Sequence, residues 1–134
     1  MAIAVEIVTP EKLLLSQSVD MAVLPAAEGE MGVLVEHAPM IVTLRGGTVQ
    51  LYQDNQVIEK LFVTGGFAEV TPTRVTVLAD EAFAIPALSR AEGERRLAAA
   101  EADYAAADTT DVVALDAAMD AMQSARAMIE TAVG

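Results

Sequence analysis

The chain has 134 residues, with 8 basic against 20 acidic side chains, no cysteine and no tryptophan. A formal charge of −12 with no basic patch works against nucleic acid and anionic lipid headgroups, both of which are held mainly by Lys and Arg. The missing cysteines exclude a disulfide framework, a thiolate metal site and a cysteine nucleophile and fit a reducing compartment, and no apolar run approaches the roughly 18 residues of a membrane span.

The first part of the chain has a period of two. Within Ala2 to Val8 the residues Ile3, Val5 and Ile7 share one face, so this opening reads as a strand. It lacks the basic start and long apolar stretch of a signal peptide. Val19, Met21 and Val23 alternate as a further strand that Pro25 closes. Short runs follow at Gly32 to Glu36, Pro39 to Leu44, Thr48 to Gln53, Gln56 to Val63, Phe67 to Val70 and Arg74 to Ala79. Asp54-Asn55 predicts a two-residue hairpin turn, because both side chains tolerate positive φ, and Pro72-Thr73 predicts another tight turn. The pairs Gly46-Gly47 and Gly65-Gly66 read as turns or bulges in which glycine supplies positive φ. No crossover helix fits between these runs. They therefore predict an all-β antiparallel sandwich or barrel over residues 1–86.

Composition changes near Pro86. Beyond Leu88 there is no proline, and Ala fills about a third of the positions. Ser89 followed by Glu92 is a capping box: the hydroxyl accepts from the third backbone N–H and the carboxylate reaches back to the cap. A helix is predicted from there to about Ala107. Asp108 to Asp111 ends it and caps a second helix, whose seam is Val112, Leu115, Met119, Met122, Ile129 and Val133 with Arg126 interrupting. Leu97, Ala100 and Tyr104 face it from the first helix, making residues 87–134 an antiparallel α-helical hairpin. A seam rich in methyl groups buries little surface, so composition predicts weak docking of helices that stay helical by propensity. That suits either a switch arm or an ordinary hairpin.

Catalytic equipment is sparse. His37 is the only histidine, and between strands beside a proline it reads as a loop residue bonded to backbone; a small sandwich enzyme using His37 with neighbouring carboxylates is the alternative from another class. A metal site would have to draw on His37 with Glu28, Glu30 and Glu36, and a solvated acidic loop is the commoner outcome of that pattern. Phosphate-cradling glycine motifs ahead of a helix are missing, so no cofactor is expected. The segment EGEMGVLVEHAP combines Glu28 and Glu30 with Gly29 and Gly32 and with Met31 as an exposed apolar candidate. It reads as a contact loop, or else as a solvated hairpin tip.

Six motifs in order now carry a resemblance: VTP at Val8 to Pro10, EGEMGVL at Glu28 to Leu34, HAP at His37 to Pro39, a Gly-ended turn after Leu44, GGFAEV at Gly65 to Val70 and VTVLADEA at Val75 to Ala82. With the Ala-rich hairpin that follows, the chain resembles the epsilon subunit of ATP synthase in its bacterial form. The resemblance implies a ten-stranded sandwich without a catalytic site, at the foot of a central stalk against the gamma subunit and the ring of c subunits. It implies a rotor part that couples proton-driven ring rotation to ATP synthesis. Under it the c-ring contact is Glu28, Gly29, Glu30, Met31 and Gly32, with the carboxylates meeting basic ring loops, and the gamma contact is His37, Ala38, Pro39, Met40 and Thr43.

Some members also bind ATP at a signature of the form Ile/Leu-Asp-x-x-Arg-Ala. Arg90 and Ala91 match its end and are the nucleotide-binding candidates. Pro86 stands at the Asp position and Ile85 is one residue too far away, which argues against ATP sensing. Family hairpins can also rise to the alpha and beta subunits of the catalytic head and inhibit hydrolysis, often through basic residues on the last helix. Arg126 is the only basic residue after Arg96, which argues against a strong clamp of that kind. The expected location is the cytoplasmic face of a bacterial inner membrane, reached through protein partners alone.

Overall fold

The computed structural model describes residues 2–133. Ten strands come first: β1 (Ile3–Val8), β2 (Leu13–Val19), β3 (Met21–Ala26), β4 (Gly29–Leu34), β5 (Met40–Leu44), β6 (Gly47–Gln53), β7 (Gln56–Val63), β8 (Gly66–Val70), β9 (Arg74–Ala79) and β10 (Ala82–Ala84). A single 3-10 turn, Ile85–Ala87, leads into helices α1 (Arg90–Ala106) and α2 (Val112–Thr131).

The strands pair in the order β10-β7-β6-β3-β5-β8-β9-β1-β2, with β4 pairing β3 off that path. The pairing is antiparallel with one exception among the described residues, β1 beside β9, which run parallel. No helix makes that crossover. The intervening strands do, so the parallel contact joins the start of the chain to β9 across a run of hairpins and longer-range antiparallel pairs. Alternation puts Ile3, Val5 and Ile7 of β1 and Val75, Val77 and Ala79 of β9 into one core with Val19, Leu24, Val33, Val49 and Leu51. Each fully buried Val, Leu or Ile contributes roughly 1.5–3 kcal/mol relative to exposure.

The structure corrects several expectations in detail. Val19, Met21 and Val23 do not form one strand face: Asp20 separates β2 from β3, and in β3 it is Ala22 and Leu24 that are buried. The edge strand β2 and the short β10 are additional. Asp54 and Asn55 do adopt φ of 52° and 64° in the β6–β7 turn. Of the glycine pairs, only Gly65 and Gly66 use positive φ, at 150° and 126°, and a Cβ on Gly66 would lie 2.1 Å from the Leu78 carbonyl oxygen. Gly46 and Gly47 are small for another reason: a Cβ on Gly46 would lie 2.5 Å from Ser124 Cα, and one on Gly47 would lie 2.7 Å from Pro25 Cβ.

Ser89 caps α1 by accepting from the Glu92 N–H at 3.1 Å, and Asp111 caps α2 by accepting from the Ala114 N–H at 3.1 Å. The reciprocal half of the capping box is not made, because the Glu92 carboxylate turns to Arg95 and Arg96 instead. The helix seam matches the predicted one in part: Ala100 is buried and Ile129 lies against Gly93 as expected, but other positions differ. Ala118 and Ala125 of α2 and Gly93 and Ala100 of α1 are buried, with Gly93 facing Ala125 and Ile129, while Val112, Met119 and Tyr104 are exposed and Val133 is 83% exposed. Helices this close admit only small side chains at the crossing: a Cβ on Gly93 would lie 2.8 Å from Ile129 Cγ1.

The hairpin is folded down onto the sandwich. A second core cluster joins Phe62 of β7 and Leu88 of the linker to Met128 and Ala132 at the end of α2, with Phe83 and Ile85 packed against it. Docking therefore has an aromatic anchor, which the methyl-rich seam did not suggest.

Candidate functional site

Strand register assembles the most conspicuous surface. Thr43 of β5 lies opposite Phe67 of β8, Phe67 opposite Leu78 of β9, Leu78 beside Val8 of β1, and Val8 opposite Leu13 of β2. On β5, β8, β9 and β1 the alternate residues are buried, and Leu13 joins their outer face by pairing with Val8 across the irregular end of β2. Phe67 is 53% exposed, Leu78 50% and Leu13 53%. Ile41, 72% exposed, extends the apolar surface on β5. A row of large apolar groups crossing four adjacent strands is what a protein contact surface looks like, and isolated exposed residues are not. Beside it Arg74 pairs with Glu6 at 2.9 Å, giving the row a polar border.

Sequence reasoning named Thr43 and missed the rest. The period of two places Thr43 on the outer face but turns Met40 to the opposite side, where it pairs with Val70 at the rim of the core. The other predicted gamma-contact residues, His37, Ala38 and Pro39, lie in the loop between β4 and β5. That loop is tied down by the Glu36 N–H donating to the Pro72 carbonyl at 2.6 Å, with Glu36 at φ 69°. His37 Nδ1 lies 2.9 Å from its neighbour's carbonyl, Ala38 O, the loop-backbone contact expected of a structural histidine. Among the described residues no three His, Cys, Asp or Glu side chains, His37, Glu28, Glu30 and Glu36 included, lie close enough together to hold a metal ion.

The predicted c-ring contact is a hairpin rather than a loop. Ala26 pairs with Gly29, leaving Ala27 and Glu28 as the tip, and Gly29 to Gly32 continue as β4. Glu28, Glu30 and Gly32 are exposed. Met31 is not the exposed apolar contact expected, because its side chain packs against the core. The tip presents charge and backbone, with the apolar residue turned inward by alternation.

On the hairpin, the guanidinium of Arg96 donates to both carboxylate oxygens of Glu81, at 2.7 and 3.1 Å, and to Glu92 at 3.0 Å, and lies 5.7 Å from the ring centroid of Phe83. Glu81 and then Glu92 raise the pKa of Arg96, and Arg96 and then Arg95 hold the Glu92 carboxyl below its ordinary range. Gln123 of α2 bonds the backbone of Gly46. Arg90 and Ala91, the nucleotide-binding candidates, are exposed at the start of α1 and do not line the cleft between hairpin and sandwich described below.

Residues 2–85 match the model of the beta-sandwich domain of the ATP synthase delta/epsilon chain. An ATP synthase epsilon chain from Granulibacter bethesdensis is 62% identical over 129 residues, covering 96% of each chain. The chain belongs to the ATP synthase epsilon chain family. The epsilon chain of Gluconacetobacter diazotrophicus is 52% identical over 134 residues, covering all of this chain and 95% of the relative. Among solved structures, a chain of the Euglena gracilis mitochondrial ATP synthase OSCP/F1/c-ring assembly aligns with a TM-score of 0.71 at 20% identity, over 95% of this chain and 79% of the other. A chain of the Tetrahymena thermophila mitochondrial central stalk and c-ring aligns at 0.62 and 14% identity, over 97% of this chain and 96% of the other. At those identities the likeness is one of fold, and it extends through the hairpin. As an epsilon chain this is a non-catalytic subunit, and the surroundings of His37 are those of a loop rather than of an enzyme.

Proposed function

We infer that the chain is a central-stalk rotor subunit of a proton-translocating ATP synthase, coupling rotation of the c-ring to ATP synthesis without chemistry of its own. The observation that carries this is the 62% identity to an epsilon chain along 96% of both lengths. In the finer reading the outer row of Phe67, Leu78, Leu13 and Ile41, with Thr43, docks on gamma, supported by its exposure and by its continuity across four strands. His37 to Pro39 border that contact at the end of the sandwich. The β3–β4 hairpin, through Glu28, Glu30 and the backbone from Gly29 to Gly32, meets basic side chains of the c-ring, with Met31 as its internal prop.

The subunit is peripheral in this reading, at the cytoplasmic face of a bacterial inner membrane. No helix among the described residues is long and apolar enough to cross a membrane. Contact of the hairpin with the alpha and beta subunits would require its release from Gly46 and Phe62, and nothing in its charge favours that over the docked form.

The test is co-sedimentation of the full chain with a catalytic head stripped of epsilon, with ATP hydrolysis measured in the same samples. We expect saturable binding with hydrolysis nearly unchanged, and the same hydrolysis rate when residues after Leu88 are removed. A fall in turnover as binding saturates would make the hairpin an inhibitory arm. A folded chain that does not bind would remove the rotor reading.

A further inference from the structure

Between the hairpin and the sandwich lies an open cleft of about 820 Å³. Its helix wall carries the methyl groups of Ala99, Ala100, Ala117 and Ala121 beside Gln123 and Ser124, and its sandwich wall includes Gly65, Gly66 and Phe67 beside Thr43 and Thr64. Asp80, Asp103 and Asp120 also line it, and none of the three is in an ion pair among the described residues, whereas Glu81 is taken by Arg96. The Asp80 carboxylate lies over Gly65, with Oδ2 3.1 Å from the point a Cβ there would occupy. Among the described residues Arg45 is the one cation on the cleft that is not already paired.

Phe67 belongs both to this cleft and to the exposed row on the outer face. The two surfaces are therefore continuous, and a partner lying along the row reaches the cleft mouth. We propose that the cleft receives a lysine- or arginine-bearing segment of the protein that docks on the row, so that the docked hairpin is itself part of that interface; this rests on the rotor reading, with gamma as the partner. The small-residue walls fit the aliphatic stem of a long cationic side chain, which keeps its charged head among the carboxylates at the rim. Charge selects this occupant over others. A second copy carries −12, and a phosphate-bearing ligand would meet unpaired carboxylates.

The experiment measures binding of the full chain to the epsilon-stripped, gamma-containing head at several salt concentrations. Two exposed pairs of about 0.2–1 kcal/mol each predict that Asp103→Asn/Asp120→Asn weakens binding by about two- to thirtyfold at low salt and flattens its salt dependence. Arg45→Glu, which adds a carboxylate to the cleft, should tighten binding, a gain that misfolding cannot mimic. Unchanged affinity and salt dependence in both variants, with binding lost in Phe67→Ser/Leu78→Ser, would overturn this proposal and leave the rotor reading intact. Binding indifferent to Phe67→Ser/Leu78→Ser as well would overturn this proposal together with the row as docking surface, and absence of binding by the unmodified chain would overturn the rotor reading too.

Discussion

The carboxamide of Gln123 satisfies both backbone groups of Gly46: its Oε1 accepts from the Gly46 N–H at 2.8 Å, and its Nε2 donates to the Gly46 carbonyl at 2.8 Å. A side chain on α2 thus binds the β5–β6 connection as a neighbouring strand would, at a buried glycine whose missing Cβ admits Ser124. Gln123→Leu would leave two backbone groups without their partner, at a cost of about 1–3 kcal/mol. We expect a lower urea midpoint and faster hydrogen exchange in α2 and at the Gly46 N–H, with the amides of the sandwich core unaffected.

Gly46→Ala should be the more disruptive change. The added methyl meets helix backbone at Ser124 Cα rather than a movable side-chain end, so α2 itself must shift. Overpacking costs of this kind are typically about 1–3 kcal/mol. Limited proteolysis should then cut the hairpin from a sandwich that stays intact.

Gly93→Ala sets two effects against each other. Alanine gains about 1 kcal/mol of helix propensity over glycine. The new Cβ would lie 2.8 Å from Ile129 Cγ1 and also press on the α2 backbone at Ile129 N, 3.3 Å away, at about 1–3 kcal/mol. The net expectation is a modestly lower Tm for the hairpin, whereas the same substitution in an isolated α1 peptide raises its helicity by circular dichroism.

Acid should loosen α1 and the link between the helices. Arg96 and Arg95 lower the pKa of Glu92, and the Thr110 hydroxyl and N–H lower that of Asp108. For such depressed carboxyls the stabilisation is complete above the unfolded values of about 4.3 for Glu and 3.9 for Asp, and is lost as pH falls through the lower folded values. Tm should therefore decline on the acid side of about pH 4. Glu92→Gln should lower Tm at pH 7 and flatten that decline, and a variant whose Tm tracks the parent at every pH would refute the assignment.

Phe62→Ala removes the ring that joins β7 to the linker and α2. Truncating a fully buried Phe typically costs about 3–5 kcal/mol, so the hairpin should lose protection first in hydrogen exchange. Phe67→Ala, on an exposed ring, should leave the unfolding free energy within about 0.5 kcal/mol of the parent's.

Alternation in β1 and β9, the Asp54-Asn55 turn and the Ser89 and Asp111 caps were legible because each is set by residues adjacent in sequence. The helix seam was legible only at Ala100 and Ile129. A count of large apolar residues selects Val112, Met119 and Val133, whereas close helix packing buries Ala118, Ala125 and Gly93, which look featureless in an Ala-rich segment. The outer row was hidden for a different reason: Thr43, Phe67, Leu78, Val8 and Leu13 become neighbours only through the register of five strands. Composition likewise could not show that one glutamine and one phenylalanine hold the hairpin down.

The parallel contact of β1 with β9 also orders events during synthesis. β1 can form a hairpin with β2 as soon as both have left the ribosome, but its other edge has no partner until Arg74–Ala79 has been made. Until then Ile3, Val5 and Ile7 lack the core side chains that β9 supplies, and an unpaired strand edge stands open to other chains. A nascent chain halted before Arg74 should therefore be the aggregation-prone species, and release from that state should coincide with the arrival of the strand that closes beside the first.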